Sequence, residues 1–150
     1  MLLNKYTLAA ERVFLTLWVG SLWVTGFVVA PALFALLDDR ALAGTVAGNL
    51  FTTVSYIGLL CAAALLLVNL LARRGIHWRV LVILAMLALV VVGQFVLSPM
   101  ITELRQQGLA ETARFGQLHG LSGVIYLLSS LLGLVLVAAG QPPRDQSSSS

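Results

Sequence analysis

Four stretches of this chain are long enough and apolar enough to cross a bilayer as helices, and they leave little for any other fold. They are roughly Val13 to Leu37, Ala41 to Leu71, Val80 to Leu97 and Gly120 to Ala139. A crossing takes ~20 mostly apolar residues, because a helix rises ~1.5 Å per residue through ~30 Å of hydrocarbon. Each run is too long for a membrane strand, and the ~10-residue alternating pattern of membrane barrels is missing. Within lipid an unbroken helix satisfies its own backbone, so helices are the expected solution. Only 10% of residues are charged and 59% are hydrophobic, whereas soluble domains carry about a quarter charged. The expected architecture is all-α: an integral membrane, antiparallel four-helix bundle over residues 1–140, with a disordered tail at 141–150.

The net charge of +3 and a pI near 9.6 do not point to nucleic acid. The cations sit at the ends of apolar runs, where membrane topology puts them, and not on one basic face. The single cysteine, Cys61, lies in an apolar run and reads as a small core residue. Val13 to Leu37 is too long for the ~7–15-residue core of a signal peptide, so it reads as a span that stays in the membrane.

Counting Lys and Arg on each side orients the bundle. Lys5, Arg12, Arg73, Arg74, Arg79 and Arg144 fall on one side; Arg40, Arg105 and Arg114 fall on the other, beside Asp38, Asp39, Glu103 and Glu111. The positive-inside rule then places both termini in the cytoplasm, with the bacterial cytoplasmic (inner) membrane as the expected location. The tail Gln141-Pro-Pro-Arg-Asp-Gln with four serines can bury nothing.

The third link, from Pro99 to Ser122, is the chemically varied part. Ile101, Leu104 and Leu109 alternate with Glu103, Arg105, Gln106 and Gln107, which reads as a short amphipathic helix between helices three and four, re-entrant or lying on the surface. A new helix starts at Glu111-Thr112, with Arg114 at ion-pair spacing from Glu111. Glu103, Arg105, Glu111 and Arg114 are expected to form an interfacial charged cap, solvated and locally paired.

Asn49 in helix two, Gln94 and Ser98 at the end of helix three, and His119, Ser122 and Tyr126 at the start of helix four all belong to the non-cytoplasmic half. His119, Ser122 and Tyr126 share one helical face through spacings of three and four; Gln94, Ser98 and Arg105 are candidates for another. Unsatisfied polar groups facing lipid cost several kcal/mol, so these faces are expected to turn inward and form a polar chamber. The cytoplasmic half is expected to be a dry Leu, Val and Ala core, with no acidic residue in any span. Glycines such as Gly44 and Gly48 permit close helix contact. A lone interfacial histidine is most cheaply read as hydrogen-bonded structure, although His119 could also ligate a metal or haem iron. His77, the other histidine, falls on the opposite side. No phosphate loop, nucleophile elbow or catalytic carboxylate pair is present, so no catalytic residues are assigned.

Several pieces resemble the transmembrane-protein-205-like family, whose bacterial members carry a domain-of-unknown-function label. They are Trp18-Val-Gly20-Ser-Leu-Trp23, Phe27-Val-Val-Ala-Pro31 with Leu33-Phe34, Ala43-Gly44 before Leu50-Phe51, Pro99, and Phe115 with His119-Gly120-Leu121-Ser122. The resemblance implies a four-helix integral membrane protein; the vertebrate namesake is associated with platinum-drug resistance and trafficking. More loosely, the chain is similar in size and helix pattern to copper-resistance and haem-biosynthesis membrane proteins, but it lacks their further ligands.

The expected function is therefore non-enzymatic: an accessory, assembly or small-solute-handling membrane protein acting through its outer polar patch, without a cofactor. The alternative is a metal- or haem-linked transport or redox protein using His119, with haem or copper as the group. The expected partner is the lipid bilayer, with another membrane protein or a homo-oligomer left open, and no nucleic acid.

Overall fold

The computed structural model describes residues 2–72 and 75–139, with side chains from Tyr6 onward. The tail at 141–150, together with Arg73 and Arg74, lies outside the described residues. Among the latter every regular element is helical, and four helical rods are long and apolar enough to span a membrane: Tyr6–Leu36, Arg40–Leu71, Trp78–Gln106 and Ala113–Ala138. The first rod is α1 (Leu2–Val24), a π-helical turn (Thr25–Val29) and α2 (Ala30–Leu36); the second is α3 (Arg40–Leu71). The third is α4 (Trp78–Val92), a second π-turn (Gly93–Leu97) and α5 (Ser98–Gln106); the fourth is α6 (Ala113–Ala138).

Both π-turns have the same cause. Pro31 and Pro99 stand at the start of the resumed helices α2 and α5. Proline has no N–H, and its ring clashes with the carbonyl four residues back. Widening the preceding turn moves that carbonyl aside: the Ala30 N–H reaches Thr25 O and the Ser98 N–H reaches Gly93 O, five residues back where an α-helix would use four.

The two interrupted rods are copies of one pattern. Phe27-Val28-Val29-Ala30-Pro31 matches Phe95-Val96-Leu97-Ser98-Pro99, and the register holds through the core. Leu15, Trp18 and Leu22 are buried, as are Ile83, Met86 and Val90 at the corresponding places. The second member of each hairpin agrees. Gly58 of α3 approaches Trp18, and Gly133 of α6 approaches Met86 and, more closely, Val19 of α1; a side chain at Gly58 would collide with the indole and one at Gly133 with Val19 Cγ2. The fold is thus two similar helical hairpins side by side, α1–α3 and α4–α6.

At the end bearing the link between Leu71 and Trp78, the hairpins close on each other. There α1 packs on α3 and α6, and α4 packs on α3 and α6, around Trp18, Met86 and Leu136. Beyond the π-turns the packing is pairwise: α2 lies against α3 and α5 against α6, without comparable packing between the pairs. The proline-induced bends splay the hairpins and leave a cavity between them.

Three expectations change. The amphipathic segment is α5, which continues directly from the second π-turn and extends the third span to Gln106; it does not lie apart as a re-entrant or surface piece, because the widened turn lets the helix pass Pro99. The first span begins before Val13 and includes Glu11, so a span does contain an acid and the closed half is not purely apolar. No ion pair forms between Glu111 and Arg114; Glu111 precedes α6 in the link, where Thr112 caps the helix by accepting from the Phe115 N–H at 3.3 Å.

Candidate functional site

A cavity of about 570 Å³ fills the gap between the splayed ends, within the ~300–1,000 Å³ usual for ligand pockets. Its walls are mainly apolar: Leu22, Phe27 and Phe34 from the first rod, Phe51 from the second, Val90 and Ile101 from the third. Both π-turns contribute to it, through Gly26 and through Gly93 and Gln94.

Of the residues singled out from the sequence, Gln94, Ser98, His119, Ser122 and Tyr126 all border this space. Asn49 does not: it is exposed, and its backbone carbonyl accepts from Thr53 Oγ1 at 3.0 Å. Tyr126 spans the cavity floor. Its hydroxyl donates to Leu22 O at 2.6 Å, and its ring meets Phe51 edge-on at 4.9 Å. The ring fits because residue 26 is glycine; a Cβ there would run into Tyr126 Cε1. His119 is exposed at the mouth and stacks parallel on Phe115, with centroids 5.9 Å apart.

The four charged residues grouped from the sequence separate. Glu111 and Arg114 are exposed, and Glu103 accepts from Gln107 Nε2 at 3.1 Å on the outer surface. Arg105 turns inward. Its Nη1 donates to Gly44 O at 3.2 Å, and its guanidinium lies 5.7 Å from the Phe115 ring centroid. It therefore crosses from the second hairpin to the first at the cavity mouth. Gly44 and Gly48 are small where Arg105 arrives: a Cβ at Gly44 would stand 3.4 Å from Nη2, and one at Gly48 3.7 Å from Nη1. Within the chain these glycines accommodate a guanidinium, and Gly44 also faces the Phe34 ring of α2. Among the described residues Arg105 is the sole formal charge on the cavity wall, and no Asp or Glu appears there. Its spacing of seven from Ser98 was the sequence signal for an inward face; Thr52, Ser55, Thr102 and Ser129 complete the polar lining.

A second polar centre, missed because Glu11 precedes Val13, sits at the closed end. Arg79 is buried and donates from Nε (3.3 Å) and Nη2 (3.1 Å) to Glu11 Oε1, and from Nη1 to Leu136 O at 3.1 Å. Its guanidinium also lies 5.5 Å from the Trp78 ring centroid. Among the described residues no group of three or more His, Cys, Asp or Glu is placed to hold a metal.

Residues 13–110 match the family described as "Domain of unknown function (DUF4149)". The chain belongs to that family. In this DUF4149 protein the match runs from α1 past the end of α5, so it takes in both π-turns, Gly44, Gln94, Ser98 and Arg105. It stops short of His119, Ser122 and Tyr126. No curated protein and no solved structure gives a significant match to the chain.

Proposed function

We propose that this protein is a non-catalytic membrane component that handles a small solute in the cavity between its hairpins. The observation that carries the reading is the cavity itself, with an apolar wall and a few convergent polar groups, the usual composition of a ligand site. Small-solute handling fits this better than assembly of a partner protein, since the polar groups are gathered inside a recess and not on an outer face. The positive-inside count supports cytoplasmic termini, which puts the cavity mouth on the non-cytoplasmic face of a bacterial inner membrane.

The test is extraction and mass spectrometry of small molecules retained by the detergent-purified protein. Gly123 borders the cavity and a Cβ there would meet nothing within 4 Å, so Gly123→Phe can be accommodated without a clash and should narrow the recess. A retained molecule present in wild type and lost in Gly123→Phe is the expected result; identical contents in the two would sink the reading. The metal or haem alternative predicts a Soret band or a stoichiometric metal that disappears in His119→Ala.

A further inference from the structure

We infer that the cavity binds a single-chain membrane lipid carrying one carboxylate, a long-chain fatty acid, with the carboxylate held by Arg105. This deepens the solute-handling reading and rests on it.

The head-group assignment comes from charge. A guanidinium drawn into an apolar-lined recess is costly unless an anion accompanies it. Arg105 has five N–H donors, and its contacts are one carbonyl, Gly44 O, and the face of Phe115. Among the described residues no carboxylate pairs with it, and none lines the cavity. The remaining donors suit the two oxygens of a carboxylate, which arginine takes in a bidentate geometry. One guanidinium matches one negative charge; a phosphate monoester, carrying nearly two, would call for a second cation that the wall does not supply.

The tail assignment comes from depth and lining. Wall residues run from Gly44 to Ser55 on α3 and from His119 to Ser129 on α6, about 15 Å of helix at ~1.5 Å per residue. That is half of the ~30 Å hydrocarbon core, the depth of one leaflet. Below Arg105 the wall is Phe34, Phe51, Ile101, Leu22 and Val90, suited to a hydrocarbon chain. Phe27 and Leu127 border the cavity while remaining 44% exposed each, which leaves apolar surface for a hydrocarbon chain to cover.

The experiment uses the full chain in nanodiscs of phosphatidylcholine with a diazirine-bearing fatty acid as photoprobe. Crosslinks are mapped by mass spectrometry and competed with palmitate, methyl palmitate or hexadecyl phosphate. Labelling of the α6 segment from Ser122 to Ser129, competed by palmitate and at least about tenfold less well by the ester and the phosphate, is expected. Arg105→Gln should need about tenfold more palmitate for half-competition, with Arg105→Lys between it and wild type, and the exposed Arg114→Gln should match wild type. Equal competition by the methyl ester, or an unaltered Arg105→Gln, would overturn the head-group assignment; stronger competition by the phosphate would overturn the carboxylate. If Gly123→Phe is labelled on the same peptides as wild type, the chain is not in the cavity. Absence of fatty-acid labelling, together with a different retained molecule that Gly123→Phe loses, would defeat this inference and leave the solute-handling reading standing.

Discussion

Glu11 and Arg79 occupy equivalent places in the two hairpins, 68 residues apart in sequence, and close on each other at 3.1 Å inside the bundle. Their side chains are 13% and 7% exposed. In two identical hairpins this position would face a like charge; opposite charges favour one hairpin against the other, in register. Arg79 also ties α4 to the last turns of α6 through Leu136 O, so the closed end is pinned by polar contacts among α1, α4 and α6.

Breaking this pair from one side leaves a buried charge without its partner. Glu11→Met and Arg79→Met should each cost about 3–5 kcal/mol, while the double substitution recovers much of the loss because two apolar side chains can replace a buried pair. Thermal unfolding in detergent checks this. Single variants as stable as wild type would show that the pair does not hold the closed end.

The two glycine contacts make a graded prediction. A Cβ on Gly58 would lie 2.5 Å from Trp18 Nε1, and one on Gly133 2.8 Å from Val19 Cγ2. Gly58→Ala should be the more damaging, about 1–3 kcal/mol, since its neighbour is a rigid and fully buried indole; Gly133→Ala should cost less because its closest contact, Val19 Cγ2, stands farther off. Gly20 has nothing within 4 Å, and Gly20→Ala should stabilise by about 0.5–1 kcal/mol. The ranking of the three in one unfolding assay is the readout.

Tyr126→Phe keeps the ring beside Phe51 and removes the hydroxyl that donates to Leu22 O. The expected loss is about 1 kcal/mol. Gly26→Ala drives a methyl into the same ring and should cost more, again by thermal unfolding. A Tyr126→Phe protein that also retains its cavity ligand would place the hydroxyl in structure and not in binding.

Orientation is tested by cysteine labelling in intact cells, where buried Cys61 contributes little background. With cytoplasmic termini, Gln107→Cys reacts with an impermeant maleimide from outside, and Ile76→Cys, 80% exposed on the opposite link, does not. The reverse pattern would invert the bundle and move the cavity mouth to the cytoplasmic face.

Much of the fold is legible one residue at a time, because in lipid each span must be apolar along its length and close its own hydrogen bonds. Fold class, the number of spans and the antiparallel order follow from runs such as Ala41 to Leu71 alone. Helical spacing also put His119, Ser122 and Tyr126 on one face, and inward-turning of polar groups placed Gln94 and Ser98 toward the same space. The ends were harder: Glu11 and Arg12 made the start of the first span look like its flank, because polarity at a helix end reads as interface whether or not a partner waits across the bundle.

By itself, then, the sequence determined an all-helical, four-span membrane chain with its polar residues biased to one half. Only the tertiary structure decided that Pro31 and Pro99 widen the turns before them and splay two hairpins into a cavity, that Arg105 turns in to Gly44 while Arg114 stays out, and that Glu11 finds Arg79. The physical reason is that a span's hydrophobicity and period are local properties, whereas which charge is paired, which glycine meets a ring and where a bundle opens depend on a partner helix far along the chain.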